Sequence, residues 1–440
     1  MKCGLLAARV LSAIALVLVA GVPVAMGHSG PYEKVIHYFA RDGNGFDPGP
    51  LTADAAGNLY GTTLGGGTGR CDCGTVYRLS PPATAGGEWT ETILYSFQWS
   101  KTNIAEGEGP VGRVIFDKKG NLYGATEYGG IQNRGVIFEL SPPSVEGEDW
   151  TESILYFFPR SGKRGLGGVS LDLGPDGDLY GLAGEGGTGT FCTGAYIPNK
   201  CGVAFVLQHP PEPGGTWTQH LLYEFGTAEG GSGYPNHFVF SPSGALYGIT
   251  AFGGSSGYGT FFKLAKEQGK WTETTLYNFT GASDGGLPTG FVFDQAGNVF
   301  GTAARGGEGG CNCGVVFELL RPSVVGGAWT EFTLYAFSNS NDGYNPEGPL
   351  IFDKAGNLYG ETVSGGDPTC QCGTIFQLSP PTTSGAEWSQ TTLHAFLGHY
   401  VHGDGDSPMG LVFYKGKFFG TTYGGGRRRV GTVFSLVIVP

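Results

Sequence analysis

Positive charge is what this 440-residue chain has least of: 26 lysines and arginines stand against 38 aspartates and glutamates, a formal net charge of −12. A nucleic-acid surface needs clustered cations that displace counterions. The only basic run, Arg427-Arg428-Arg429, is short and reads as a solvated loop, so nucleic-acid partners are excluded. Beyond Met26 no apolar run approaches the roughly 20 residues that cross a bilayer, so no membrane span is expected. Glycine pairs such as Gly129-Gly130 and Gly253-Gly254 are not followed by the Lys-Ser/Thr of a phosphate loop. There is no Ser-His-Asp or Cys-His arrangement, and no stretch has the acid density of a calcium-binding EF-hand loop. No catalytic residue, cofactor or metal is therefore assigned from the sequence.

What is abundant is glycine, 82 residues, with aromatics at 13 %. The usual glycine share is about 7 %, and the excess next to so many rings describes many tight turns joining many strands. Residues 1–27 read as a signal peptide: Lys2 and Arg9, an apolar run from Val10 to Met26, then the small-residue pattern Ala25-Met26-Gly27. The mature chain is expected to be secreted, extracellular or periplasmic, and monomeric. It keeps eight cysteines, an even number suited to an oxidising compartment.

The dominant signal is a repeat. GNLYGTT at 57–63, GNLYGAT at 120–126 and GNLYGET at 356–362 are the clearest of seven copies, with final Leu-Tyr-Gly glycines (or their equivalents) at Gly61, Gly124, Gly181, Gly248, Gly301, Gly360 and Gly420. The spacing, 53 to 67 residues, accommodates four short strands and their turns, one propeller blade. The apolar triplets Val114–Phe116, Phe291–Phe293 and Leu350–Phe352 read as strand one, and an Asp-x-x-Gly-Asn turn leads into the motif as strand two. Strand three follows a glycine, as in Gly74-Thr75-Val76-Tyr77-Arg78-Leu79, and strand four follows a tryptophan, as in Trp89 through Phe97. The seventh copy of strand four is missing after residue 431 and stands instead at 34–39, where Val35-Ile36-His37-Tyr38-Phe39 matches Ile93-Leu94-Tyr95-Ser96-Phe97. The expectation is an all-β, seven-bladed propeller over 28–440, closed when that strand joins the last blade.

The unit G-N-L-Y-G-T-T-x-x-G-G, G-T-V-[FY]-x-L-[ST]-P, L-Y-x-F, D-G-x-x-P resembles the Gloeo/Verruco repeat of secreted bacterial proteins. That resemblance covers nearly the whole mature chain and implies a propeller. It implies no catalytic residue, and units three, four and seven depart from its turn pattern at Gly177-Asp178, Gly244-Ala245 and Gly416-Lys417.

Loop lengths separate the two faces of the ring. From the leucine of strand three to the tryptophan of strand four the distance is ten residues in every unit but one, Leu264 to Trp271. Between strands two and three it varies from 11 to 21, and the crossing to the next blade varies too, so the binding face is expected there. Three enlarged loops carry Cys71-x-Cys73, Cys311-x-Cys313 and Cys370-x-Cys372, and the longest carries Cys192 and Cys201. Four local disulfides are the simplest pairing. Acid-Gly-x-x-Pro recurs before strand one, at Glu106, Asp284, Asp342 and Asp404, and reads as a turn in which the acid bonds backbone N–H groups.

Candidate binding residues on the variable face are Trp99, Tyr344 and the HYVHGDGD loop, with His399, Tyr400, His402, Asp404 and Asp406. Tyr128, Tyr258 and Tyr423 lie on the same face. His37 and His394 fall in the slot that Tyr95, Tyr156, Tyr223, Tyr277 and Tyr335 fill elsewhere and read as structural. The function expected is a non-catalytic binding or scaffold propeller for glycan or an extracellular protein. The alternative is an extracellular polysaccharide hydrolase or lyase using acids and histidines of that face.

Overall fold

The computed structural model describes residues 31–438 except 42, 69–70, 85, 99–105, 146, 164, 166–169, 192–200, 213, 228–230, 242–243, 339–340, 384 and 400–402. Among them all regular structure is strand, in seven antiparallel sheets arranged as the blades of a propeller. Blade two is representative, running Gly107–Phe116, Leu122–Gly129, Val136–Ser141, Thr151–Phe157 from the inner to the outer edge. In blade one the inner strand is broken into Phe46–Pro48 and Thr52–Ala53, both paired with Leu59–Gly65. Inner strands of neighbouring blades touch, as Gly286–Phe293 does Tyr344–Phe352, which fixes them around the axis.

Each part of the repeated motif has a packing reason. The leucine is fully buried at Leu59, Leu122, Leu179, Leu246 and Leu358. The glycine leaves room for the ring that strand three sends across it. A Cβ on Gly124, Gly301 or Gly420 would come within 2.4 to 2.5 Å of Phe138, Phe317 or Phe434, and all seven copies share this arrangement. The tyrosine reaches the next blade: Tyr60 packs edge-on to Phe116, Tyr180 to Phe240 and Tyr247 to Phe293. Its hydroxyl donates back to the turn aspartate, Tyr359 to Asp353 at 3.0 Å. That aspartate organises the turn by accepting from successive backbone N–H groups, as Asp54 does from Ala56, Gly57 and Asn58, while Gly57 takes φ 95°.

The core is consequently divided into seven apolar clusters, one between each pair of adjacent blades. The tryptophans before strand four serve these seams, Trp89 lying edge-on to Phe419 and Trp217 to Tyr123.

The inner strands are longer than the apolar triplets alone suggest, and take in the proline of Acid-Gly-x-x-Pro: Pro110 pairs with Thr126, Pro288 with Ala303, Pro346 with Thr362. A proline is tolerated because this strand is the sheet edge facing the channel. The residue before it adopts positive φ, 53° at Leu287, 61° at Asn345, 54° at Ser407. Its N–H then donates to a carbonyl of the preceding blade: Leu287 to Tyr258, Asn345 to Cys313, Ser407 to Cys372, all at 2.8 to 2.9 Å. The proline ring abuts the glycine that opens strand three of that blade, at Gly74, Gly202, Gly259, Gly314, Gly373 and Gly431. The motif is therefore a clasp between blades as well as a turn. Its acid also bonds backbone N–H groups, Asp284 from Thr280 and Asp342 from Ser338, each at 2.9 Å.

Blade seven comes from both chain ends. Asp406–Tyr414, Lys417–Gly424 and Thr432–Val437 are completed by Tyr32–Tyr38, with Tyr32 opposite Val437 and Tyr38 opposite Thr432. Its register shift between Val35 and His37 falls where blade two has one between Ile154 and Tyr156, so the closing strand reproduces the outer-strand geometry. Phe39 is buried like its counterparts, and its N–H donates to Gly431 as that of Phe97 does to Gly74. Arg427 lies over the Tyr38 ring at 4.6 Å, so the arginine run helps cover this strand. Phe39→Ala should cost about 3–5 kcal/mol, as much as Phe97→Ala in a continuous blade; a far smaller loss in denaturant unfolding would mean the closing strand is not part of the cooperative ring.

Candidate functional site

The antiparallel order puts the strand two to three loop and the inter-blade crossing on one face, around the channel mouth. The motif glycine is invariant among the blades, but three and four residues beyond it the copies diverge: Leu64, Glu127 with Tyr128, Gly184 with Glu185, Arg305, Ser364, Tyr423. Tyr128 is 47 % exposed and Tyr423 44 %. Tyr234, from the inner strand Ser232–Phe240, lays its ring against Gly184 of blade three.

These side chains share one electrostatic environment. Glu127 of blade two raises the hydroxyl pKa of Tyr128 by hydrogen bonding and charge. The Tyr234 pKa is raised by burial and then by Glu185 and Glu127, and that of Tyr423 by burial, Asp47 and Glu127. One carboxylate is thus felt by rings from blades two, four and seven, so the three rings gather on this face. The mouth is rimmed by neutral phenols, donors beside carboxylate acceptors, with two of the three rings open to solvent.

Inside the channel wall, blade six replaces the small or apolar residue after the motif glycine with Glu361, 3 % exposed. It accepts N–H bonds from Gly410 and Leu411 of blade seven, at 2.6 and 3.3 Å. Burial pushes its carboxyl up to about 8, outweighing those bonds, and the Glu347 charge adds to the rise. Glu347 is its register partner on the inner strand, and its own carboxyl is raised by desolvation. On the inner strand of blade four, His237 is held neutral, its pKa lowered to about 4 by burial and then by Arg113.

Of the residues singled out by sequence, Trp99, Tyr400, His402 and Cys192 lie outside the described residues. Tyr344 is half-buried and its hydroxyl donates to Gln371 at 3.3 Å, tying the crossing to the cysteine loop. Burial raises the Asp406 carboxyl, and a hydrogen bond from Ser407 and then the nearby His399 oppose that rise. Asp404 turns away from them, 4 % exposed, accepting from the Leu397 N–H at 2.9 Å and meeting His394 Nε2 at 3.0 Å. His394 and His37 stack edge-on to Phe396 and Phe39, as Tyr95 does to Phe97. Disulfides join Cys71 to Cys73, Cys311 to Cys313 and Cys370 to Cys372, with Cα separations of 5.1 to 5.2 Å, and Cys201 is disulfide-bonded too. The middle residues Asp72, Asn312 and Gln371 all take positive φ.

Tyr234, Glu127, Glu185 and the Glu347–Glu361 pair were not singled out by sequence. The available signal was departure from the repeat, at positions immediately after an otherwise uniform motif. Grooves of about 440 and 550 Å³ on the opposite face, lined by Trp89 and Trp329 respectively, occur between successive blades and follow from the repeat itself.

The fold and the repeated interface define a seven-bladed propeller built from one repeat family. The chain belongs to the Gloeobacter/Verrucomicrobia repeat family, whose model matches residues 19–195 and 189–434. No curated protein matches by sequence. Among solved structures it is similar to virginiamycin B lyase from Staphylococcus aureus, at 12 % identity and TM-score 0.51, covering 93 % of this chain and 100 % of that one. It is also similar to the PQQ-bound aldose sugar dehydrogenase of Streptomyces coelicolor, at 13 % identity and TM-score 0.42, covering 93 % and 98 %. The first of these likenesses shows a shared propeller architecture and nothing of chemistry.

The raised carboxyls give stability a direction with pH. Glu361 is pushed to about 8, and Glu152 and Glu331 to about 7, each mainly by burial, from 4.5. The folded state therefore holds protons that the unfolded chain releases, and this stabilisation is full below about 4.5 and is lost as pH rises toward 8. The melting temperature should fall by roughly a few degrees between pH 5 and 8.5, and less steeply in Glu361→Gln. A midpoint that rises over that window would contradict the assignment.

Proposed function

We propose that this protein is an exported, non-catalytic binding propeller whose ligand is a hydroxyl-rich glycan held at the channel mouth. The observation that carries the reading is the rim of Tyr128, Tyr234 and Tyr423 around Glu127, Asp47 and Glu185. Exposed phenol rings supply flat apolar surface for a sugar face, and the adjoining carboxylates accept from its hydroxyls. Export is supported by the apolar run Val10 to Met26 behind Lys2 and Arg9, and by disulfides in three of the enlarged loops. The Glu347–Glu361 pair is the one observation favouring the hydrolase or lyase reading, because a buried carboxyl kept protonated near neutrality suits a general acid.

The test is a glycan array with the chain from residue 28 onward. Binding to a defined glycan class is expected, weakened about 10-fold or more by Tyr423→Ala and by Glu127→Gln, with Val325→Ala on the opposite face unchanged. Absence of any glycan signal would sink the sugar ligand and leave a protein partner. Cleavage of the bound glycan, abolished in Glu361→Gln, would replace binding by catalysis.

A further inference from the structure

The seam between blades six and seven differs from most of the others in one chemical respect. At most seams the slot two residues before the buried phenylalanine holds a tyrosine. Its hydroxyl meets the acid of its own crossing, the outer-strand acid or amide of the next blade, or both. Tyr277 donates to Asp284 at 2.9 Å, with Glu331 of the next blade acting on it by charge. Tyr335 donates to Asp342 at 2.9 Å, and Tyr95 to Glu152 at 3.0 Å. At the six–seven seam the tyrosine is replaced by His394, the crossing acid is Asp404, and the outer-strand acid is Glu33, contributed by the N-terminal closing strand Tyr32–Tyr38. A weakly coordinating neutral phenol has become an imidazole, between two carboxylates.

We propose that His394, Asp404 and Glu33 bind one divalent transition-metal ion, zinc fitting best, which fastens the closing strand to blade six. One ligand atom from each of the three lies within 4.8 Å of the others. Zinc bonds of about 2.0–2.2 Å need ligand atoms somewhat closer than that, a change within reach of small side-chain rotations. The ligand set of one nitrogen and two carboxylate oxygens suits zinc and its neighbours rather than calcium or magnesium.

Further observations support the assignment. Glu33 Oε1 is buried and has no hydrogen-bond partner in the structure. Asp404 lies opposite, so two carboxylates meet where both are largely withdrawn from solvent, a cost that a cation between them would relieve. Asp404 is also oriented for the task, since Oδ1 is fixed by the Leu397 N–H and Oδ2 is directed to the histidine. The His394 side chain is 20 % exposed, leaving a path for the ion and a fourth position for water. The other histidine in this slot, His37, meets Glu91 at 3.5 Å and belongs to no three-ligand group found among the described residues.

The test uses the chain from residue 28 onward, stripped with a chelator and titrated with zinc by calorimetry while its melting temperature is followed. One tight equivalent and a raised midpoint are expected. His394→Tyr installs the side chain that five other blades carry in this slot, so it should fold, yet bind zinc at least ~10–100-fold more weakly and lose the thermal shift. Glu33→Gln provides the same reading should the tyrosine variant fold poorly. His37→Tyr should retain both responses. No zinc uptake by the wild type, or uptake kept in His394→Tyr and Glu33→Gln, would overturn the proposal.

Discussion

No blade of this protein buries its own faces. Each four-stranded sheet shields its apolar residues only against the next, so the seven clusters of the core lie at seams rather than within sheets. An open array would leave two such faces wet, at roughly 25 cal/mol per Å², and two sheet edges unpaired. Closure is thus a condition of stability, and the exchange of a strand between the chain ends satisfies it without any covalent join. The seams use a recurrent set of devices: a motif tyrosine across to a phenylalanine, a tryptophan across to an aromatic, and a backbone hydrogen bond from the residue before proline.

The architecture was legible in the sequence because these devices recur with one phase. Seven motif glycines, six tryptophans and an orphan outer strand sufficed to number the blades and to locate closure. Strand lengths were less legible. The inner strands reach back through Pro110, Pro288 and Pro346, residues that ordinarily end a strand, and only their position at the channel edge makes this possible. The clasp role of Acid-Gly-x-x-Pro was hidden for a related reason: its partner glycine lies in another blade, as Gly74 does for Pro110, and for Pro48 it is Gly431 near the other end of the chain.

The site was harder to read, since a repeat directs attention to what recurs. HYVHGDGD stands out in composition, but Asp404 is drawn inward to His394, and its neighbour in space, Glu33, is more than 350 residues away in sequence. Glu361 hides inside the most regular stretch of all, GNLYGET. In a closed ring, one changed letter in a copied motif can meet a partner from any other blade across the axis, and sequence distance then carries no information about proximity.

The divergence just beyond each motif glycine has an evolutionary consequence. Residues such as Glu127, Tyr128 and Tyr423 hang from strands whose packing is settled upstream by the leucine, the tyrosine and the glycine. Exchanging one of them leaves every seam intact. Such rim positions thus behave as separately editable letters on a frame held constant, so a lineage can change the chemistry of the mouth by point substitution, one blade at a time.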